Sequence, residues 1–473
     1  MNQCDFLKNS PVCAAEAPHS NLASAAVAAD GKSDSEIKAE TVDSMEKYCN
    51  YWKERRTELD ASIDRFRKKD YDFIILDEQG KPLANTDIEV RQTSTDFTWG
   101  CAGLSLGQLG EKNAVYEARL SEFFNMVTTS FCAGVMVPQE NRYRFDLDSE
   151  EVWRRPPSDR VFEFTQKHGM RFKGQPLICD RWHPTWAMKQ TKAEAERFYQ
   201  DYFKRVAERY GKKAWAFDVV NEAFCTRKRT PEFPLFGGND QLPFVDWAFA
   251  EAAKHFPREC KMTINMGTNS TDWDNMGEKY YDLCKRILDA GIRLDGIGFQ
   301  FHLFNKHLLA QMIAFEYWHP DMLAQFYNRL KEMGKPAYIN EITIPSTLLP
   351  GTEGEEIQAV VAENLYRFWF AQPAIQGVIW WNLMDGAAWS TEDNVKGALL
   401  NDFAQEKPVY SALRKLIAKE WKTMFKGKTD AAGHIRFRGF SGDYAVLFLN
   451  KAGTSLITQK FPAPAAGGSV MPK

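Results

Sequence analysis

Short apolar runs alternate with longer amphipathic stretches through the middle of the chain. Six runs have the length and content of buried parallel strands: FKGQPLIC, AWAFDVVN, CKMTIN, LDGIGFQF, PAYINEI and IQGVIWWN. The stretches between them, such as AEAERFYQDYFKRVAERYG, have apolar residues at helical spacing. This alternation predicts an α/β fold, and polar residues at the strand ends favour a (β/α)8 TIM barrel as the catalytic domain over residues 95–425. The alternative is a doubly wound sheet, but no GxGxxG turn follows a strand.

The segments on either side of the predicted barrel follow other patterns. Residues 36–69 are strongly charged with apolar residues every three or four positions, which predicts a helix. Residues 70–94 contain two β-rich runs around a Gln-Gly-Lys-Pro turn, and residues 426–460 have the pattern of antiparallel strands with Gly turns. We expect these two segments to pair as a small accessory β element. Residues 1–35 and 461–473 show no periodicity, which predicts disorder.

Composition narrows the class of protein. The chain has 473 residues, 44% of them hydrophobic, which is typical of a soluble globular enzyme. A net charge of −3 argues against nucleic acid as a partner, and no apolar run is long enough to cross a membrane. The nine cysteines are odd in number and lack CxxC spacing, so we expect mostly free thiols and no zinc ribbon or disulfide scaffold. We expect no metal and no other cofactor, and the oligomeric state stays open.

Two glutamates directly follow apolar strands. Glu222 ends the run AFDVVNE, with Asn221 before it, and Glu341 ends AYINE. The carboxyl ends of barrel strands face one rim, and retaining glycoside hydrolysis needs two carboxylates about 5–5.5 Å apart. A single glutamate is usually a solvated surface charge, but a carboxylate buried at a strand end serves no packing role. Asp218 and Asp385 also lie near strand ends, and we expect Asp385 to be a structural hydrogen-bond acceptor.

Five motifs in order resemble glycoside hydrolase family 10, the endo-1,4-β-xylanase family. They are AWAFDVVNEA, LDGIGFQFHL, PAYINEI, GVIWWNLMDGAAW and LLNDFAQEKPVYSALRKL, and the resemblance covers about residues 95–420. It implies a retaining enzyme with Glu222 as the acid/base and Glu341 as the nucleophile, acting on a polysaccharide or oligosaccharide. It also implies that the following residues bind substrate or support the site: Asn221, Gln300, His302, Trp381 and Trp389. Trp380 is the alternative to Trp381 as the ring that faces inward.

The chain departs from the family pattern around the glycone side of the site. Where the family has Glu-Asn and Lys-Trp after an early strand, this chain has Ser130, Phe131, Gly134 and Val135. In the family's G-H-T-L-V-W-H run, the His, Trp and second His are replaced here by Gln175, Cys179 and Asp180. Loss of polar sugar ligands would weaken binding of an unchanged substrate, so these departures predict a different glycone or a much weaker xylanase.

The segment RWHPTW introduces new side chains beside this region. Arg181 and His183 are candidates to meet an acidic sugar, because arginine pairs well with carboxylates. The alternative is a salt bridge at the barrel rim, for instance with Asp180. Trp182 is a candidate to replace the lost stacking ring.

An endo-1,4-β-xylanase-like activity is therefore the expected function. One alternative is a β-glycosidase with another glycone specificity on the same scaffold. Another is a carbohydrate-binding relative with weak or no catalysis, although a binder has no need of two matched carboxylates. The substrate class favours a secreted or periplasmic protein, but the N-terminus lacks a basic region followed by an apolar one, so the compartment stays open.

Overall fold

A long charged helix begins the part of the chain that the computed structural model describes. The described residues are 34–77, 79–179, 182–224, 233–236, 242–267, 275–449 and 455–461. The first elements are helix α1 (Asp34–Arg67) and strands β1 (Lys68–Ile74) and β2 (Asp87–Gln92). Buried rings attach α1 to the body of the protein, since Tyr48 stacks on Phe315 and Trp52 meets Phe368 edge to face.

Eight parallel strands form a closed barrel in the order β10-β3-β4-β5-β6-β7-β8-β9. They are β3 (Thr98–Ala102), β4 (Met126–Ser130), β5 (Arg171–Gln175), β6 (Ala216–Asn221), β7 (Lys261–Met266), β8 (Gly296–His302), β9 (Ala337–Thr343) and β10 (Ile375–Trp380). Each of the six apolar runs singled out above overlaps one of these strands, with ends that differ by a residue or more. The predicted (β/α)8 barrel is therefore confirmed, and β3 and β4 complete it.

Helices surround the barrel and follow most of its strands. They are α2 (Asn113–Glu122), α3 (Ala133–Met136), α4 (Ser158–Lys167), α5 (Lys192–Tyr210), α6 (Pro243–Ala252), α7 (Asn275–Asp289), α8 (Lys306–Ile313), α9 (Pro320–Leu330), α10 (Thr352–Ala371), α11 (Ser390–Asp393) and α12 (Pro408–Lys415). Helix α10 is buried on almost every face, because it lies between the barrel and α1. Among the described helices, none combines the length and the apolar content that a membrane span requires.

Strands from the two ends of the described chain form an accessory β element. The remaining strands are β11 (Met424–Lys428), β12 (His434–Phe440), β13 (Tyr444–Leu449) and β14 (Ser455–Phe461). Strand β1 pairs antiparallel with β12, and a second sheet has the order β11-β2-β13-β14. Tyr71, Phe73, Val90, Phe437 and Tyr444 belong to a small core of their own. The accessory element is thus built as expected, while the exact segment boundaries stay predictions. The predicted disorder falls almost wholly outside the described residues.

The described cysteines are of two kinds. Cys49 in α1 is disulfide-bonded, which differs from the free thiols expected for most positions. The free and buried ones are Cys101, Cys132, Cys179, Cys260 and Cys284. Burial raises the pKa of the Cys101 thiol well above its ordinary value, so this side chain is a neutral filler of the core.

Candidate active site

A cavity of about 320 Å³ opens at the carboxyl ends of the barrel strands. The predicted site residues that line it are Gln175, Trp182, Asn221, Glu222, Gln300, His302, Glu341, Trp381 and Trp389. Asp180 lies outside the described residues. Within the described ranges, no group of three or more His, Cys, Asp or Glu side chains is arranged to hold a metal ion. The barrel therefore brings every described member of the predicted set to one place.

Each of the two strands that lead to the glutamates contains one extra residue, three positions before Glu222 on β6 and directly before Glu341 on β9. On β6, Asp218 pairs with Thr263 while Val220 pairs with the next residue, Ile264. On β9 the register likewise shifts, so that Glu341 lies opposite Gln300 on β8. A bulge of this kind turns the following side chain, and bulges are frequent beside active sites. These two bulges aim the ends of β6 and β9 into the cavity.

The Glu341 carboxylate is held at both oxygens. Asn265 Nδ2 donates to Oε1 over 2.7 Å, and Gln175 Nε2 also donates to Oε1. The other oxygen, Oε2, lies 3.0 Å from His302 Nε2, and the second ring nitrogen of His302 lies 2.9 Å from the Thr343 hydroxyl. With the proton on Nε2, the histidine donates to the carboxylate and accepts from Thr343. These hydrogen bonds fix the orientation of the carboxylate.

Glu222 has an unusual backbone. Its φ is +50°, in the left-handed region that residues other than glycine rarely adopt, and its N–H donates to the Asn265 carbonyl oxygen over 3.0 Å. Gln300 Nε2 donates to Glu222 Oε1 over 3.1 Å. Such a conformation costs about 1–3 kcal/mol and persists where the surroundings demand it, often at functional sites. Here it places a partly exposed carboxyl at the cavity wall.

Three amide side chains connect the two glutamates. Asn221 Oδ1 accepts from Asn265 Nδ2 over 2.9 Å and from Gln300 Nε2 over 3.1 Å. Since Asn265 also donates to Glu341 and Gln300 to Glu222, the network runs unbroken from one acid to the other. Asn265 is absent from the predicted set, although it lies at the end of the predicted strand CKMTIN. A polar residue closing a buried strand was the signal for it.

A buried ion pair lies inside the barrel below this network. Lys173 Nζ is 2.7 Å from Asp218 Oδ2, and both side chains are fully buried. Asp218 Oδ1 also accepts from the Thr263 hydroxyl and, over 3.4 Å, from Asn340 Nδ2. Burial raises the pKa of Asp218 and lowers that of Lys173, and the attraction between the two partners opposes each shift. The pair is a structural element of the barrel interior rather than part of the cavity wall.

Aromatic rings form one side of the cavity. Trp182 and Trp389 stack with their ring centroids 6.1 Å apart, and Trp381 lies edge-on to the His302 ring. Trp380 is fully buried in the core, so Trp381 is the member of this pair that lines the cavity. Apolar ring faces of this kind suit the C–H faces of pyranose rings.

The positions that depart from the family pattern have varied surroundings. Ser130 lines the cavity, whereas Phe131 is buried and packs edge-on against Phe172 and Phe217. His183 is buried against Phe233 rather than placed along the described cavity wall.

The close approach of two backbone segments explains why position 134 is a glycine. A Cβ on Gly134 would lie 2.5 Å from the backbone oxygen of His183 and 2.6 Å from that of Trp182, so glycine lets the loop carrying Trp182 come close. Arg181, the other residue of the acidic-sugar hypothesis, lies outside the described residues.

Asp385 behaves as a structural acceptor. Its Oδ1 accepts from the Ala398 N–H over 3.0 Å, and its Oδ2 lies 3.1 Å from Lys407 Nζ in a buried pair. Both side chains lie apart from the residues that line the cavity.

Known proteins resemble this chain over the part that forms the barrel. A family model described as glycosyl hydrolase family 10 matches residues 93–416. The chain is 25% identical over 291 residues to a beta-1,4-xylanase of Dictyoglomus thermophilum, covering 58% of this chain and 75% of the relative. It is 27% identical over 283 residues to endo-1,4-beta-xylanase A of Caldicellulosiruptor saccharolyticus, covering 55% and 75%. Anti-sigma-I factor RsgI6 of Acetivibrio thermocellus is 21% identical over 393 residues, covering 81% of this chain but 45% of that protein.

Solved structures share the barrel. Xylanase 10B from Thermotoga petrophila, solved in complex with xylobiose, matches with a TM-score of 0.55 at 20% identity, covering 69% of this chain and 95% of that one. Xylanase 10B from Thermotoga maritima matches with a TM-score of 0.54 at 21% identity, covering 69% and 96%. At this level of identity the likeness establishes the fold.

Proposed function

Because the chain belongs to glycosyl hydrolase family 10, we propose that it is a retaining enzyme that cleaves β-linked polysaccharide in the manner of an endo-1,4-β-xylanase. Curated relatives named as xylanases support this substrate class, as does the solved relative in complex with xylobiose. The observation that carries the proposal is the pair of glutamates on one cavity, one of them held at both oxygens.

In the first step Glu341 attacks the anomeric carbon of the bound sugar. The hydrogen bonds from Asn265 and His302 hold its carboxylate in one orientation, which suits a nucleophile. Glu222 gives its proton to the glycosidic oxygen as that bond breaks, so the leaving sugar departs as an alcohol. A glycosyl ester with Glu341 and an ionised Glu222 remain.

In the second step the ester is hydrolysed. Glu222 now acts as a base and takes a proton from water, while the water oxygen forms a bond to the anomeric carbon. Glu341 leaves as a carboxylate, and its N–H donors stabilise the returning charge. Two inversions at the anomeric carbon give net retention.

The same proposal gives roles to residues that lie beside the two glutamates. Asn221 is assigned to the sugar 2-hydroxyl next to the nucleophile, and its position between Asn265 and Gln300 fixes its amide. Trp381 and Trp389 are assigned as aromatic walls around the cleavage point.

Azide rescue of two alanine variants tests the roles of the glutamates. With Glu222→Ala and an activated aryl β-glycoside, azide should attack the glycosyl ester and give a β-glycosyl azide. With Glu341→Ala, azide should attack the substrate directly and give the α-glycosyl azide. The opposite assignment of products would reverse the two roles, and an active Glu341→Ala enzyme would remove the nucleophile.

A matched control separates chemistry from folding. Glu163 is an exposed glutamate on α4, so Glu163→Gln should keep wild-type turnover and melting temperature. Glu341→Ala should lower turnover by several orders of magnitude while its melting temperature stays near that of the wild type. Products from xylan, glucuronoxylan and mixed-linkage glucan should be compared to identify the polysaccharide.

One observation favours a second candidate, a carbohydrate-binding protein with little or no catalysis. The β4 end lacks charged ligands: Ser130 lines the cavity and Phe131 is buried in the core. If wild type and Glu222→Gln bind oligosaccharides alike and neither cleaves them, this second candidate is correct. Loss of turnover with retained binding in Glu222→Gln supports the enzyme.

A further inference from the structure

Arg155 lies in the wall of the candidate active site, and no acidic side chain in the described part of the chain forms an ion pair with it. Its side chain is 7% exposed and lines the same cavity as Glu222 and Glu341. The guanidinium carbon is 5.1 Å from the Trp182 ring centroid and 5.8 Å from that of Trp389. Two indole faces thus hold a cation at the cavity.

The hydrogen bonds of Arg155 are incomplete. Nη1 donates to the Arg154 carbonyl oxygen over 2.7 Å, and Nε has no hydrogen-bond partner among the described residues. No carboxylate of the described chain lies within ion-pair distance of it. The nearby carboxylate of Glu392 is already held by Arg154 over 3.0 Å and by Asn382 over 3.0 Å.

Other buried arginines of the described chain have an acidic partner or several backbone acceptors. Arg144 donates to the backbone oxygens of Val135, Glu150 and Arg155. Arg67 donates to the backbone oxygens of Phe370 in α10 and Ile375 in β10, and Arg367 pairs with Asp60 over 2.7 Å. Arg155 has one backbone acceptor and, among the described residues, no acidic partner. Since burying a charge that is not compensated is costly, this guanidinium is suited to an anionic ligand.

We propose that Arg155 binds the carboxylate of a hexuronic acid ring that occupies the cavity beside Trp182 and Trp389. This inference rests on the proposed function, because it names a feature of the substrate for that same site. A guanidinium has a planar edge of N–H donors that matches a carboxylate with two parallel hydrogen bonds. The two tryptophans orient that edge and offer faces to the sugar ring.

The test compares acidic and neutral substrates that differ only in the carboxylate. The probes are glucuronic-acid-substituted xylo-oligosaccharides and the same compounds with the carboxylate reduced to an alcohol. For Arg155→Met, the ratio of kcat/KM for the acidic substrate to that for the neutral one should fall about 10- to 100-fold relative to wild type. Arg155→Lys keeps the charge but cannot form two parallel hydrogen bonds, so its ratio should lie between those of wild type and Arg155→Met.

Controls keep the two proposals distinguishable. Arg142 is an exposed arginine of the preceding segment, and Arg142→Met should leave the ratio unchanged. Calorimetry on Glu222→Gln measures binding of both probes without turnover, and the acidic probe should bind more tightly with a stronger dependence on salt.

The outcomes distinguish failure of the proposed function from failure of this inference. If neither probe is cleaved by the wild type but the acidic one binds through Arg155, the enzymatic function fails and this inference stands. If both are cleaved and the ratio is the same in wild type, Arg155→Met and Arg155→Lys, the inference is overturned and the function stands. Circular dichroism and melting curves show whether Arg155→Met folds, and Arg155→Lys carries the test if it does not.

Discussion

Removing either member of the Lys173–Asp218 ion pair should destabilise the barrel, with opposite responses to pH in the two variants. The pair is fully buried with 2.7 Å between Nζ and Oδ2. Lys173→Met leaves Asp218 with the Thr263 hydroxyl and Asn340 amide but no cation. Asp218→Asn leaves a buried ammonium without a carboxylate. Breaking a buried pair by removing one partner costs about 3–5 kcal/mol.

The expected shift in melting temperature follows from the size of the protein. An unfolding entropy of about 2.1 cal/mol/K per residue, taken over 473 residues, is about 1 kcal/mol/K. A loss of about 3–5 kcal/mol therefore lowers the melting temperature by roughly 3–5 °C.

The pH dependence has a definite sign for each variant. Burial raises the pKa of Asp218, and removing Lys173 raises it further. The folded state then holds a proton that the unfolded chain releases above about pH 4, so stability of Lys173→Met falls as pH rises through that window, by up to about 1.4 kcal/mol per unit. Burial lowers the pKa of Lys173. The unfolded chain then binds more protons below about pH 10.4, so stability of Asp218→Asn rises with pH.

Thermal and urea unfolding from about pH 5 to 9 measure these effects. The double variant Lys173→Met/Asp218→Asn is the control, because it removes both charges and should recover most of the lost stability with a flat pH response. Two single variants with parallel pH profiles, or a double variant less stable than either single one, would refute the reasoning.

Two further predictions concern other contacts. Arg67 donates to the backbone oxygens of Phe370 in α10 (2.6 Å) and Ile375 in β10 (2.7 Å). Arg67→Met should therefore lower the melting temperature by about 3 °C, whereas Arg65→Met, at an exposed position, should change it by less than about 1 °C; equal melting curves would contradict this. Gly134→Ala should cost about 1–3 kcal/mol and raise KM for oligosaccharides, because the new Cβ must displace the loop backbone at Trp182; an unchanged KM would show that this loop does not shape the cavity.

The barrel was predictable because its strands are buried on both faces. Runs such as AWAFDVVN and PAYINEI are almost wholly apolar, and a parallel sheet covered by helices requires that. Strand β3 (TWGCA) and strand β4 (MVTTS) are short and contain Thr, Gly or Ser, so apolar content alone is a weaker signal there.

The candidate site likewise contains residues that the sequence indicates and residues that only the structure reveals. Glu222 and Glu341 were identifiable because a polar residue at the end of an apolar strand is conspicuous in sequence. The bulges that aim them, and the lateral bonds from Asn265, depend on pairing between strands distant in the chain. Arg155 gave no signal either, since a charged residue in a loop is usually solvated, and only the fold shows that it is enclosed by two tryptophans.

The residues that the sequence indicated and those that it did not lie on different parts of the fold, and this has a physical reason. Attack on a sugar carbon tolerates little misplacement, and strand ends tied by barrel hydrogen bonds supply that rigidity to Glu341 and Glu222. The residues that we propose to recognise the sugar, Trp182, Trp389 and Arg155, lie on connections between strands. Connections accept new sequence without disturbing the ladder of strand pairs, so specificity can change while the chemistry is kept. A barrel that retains both glutamates and replaces its loop ligands is therefore expected to act on a different sugar before it loses catalysis.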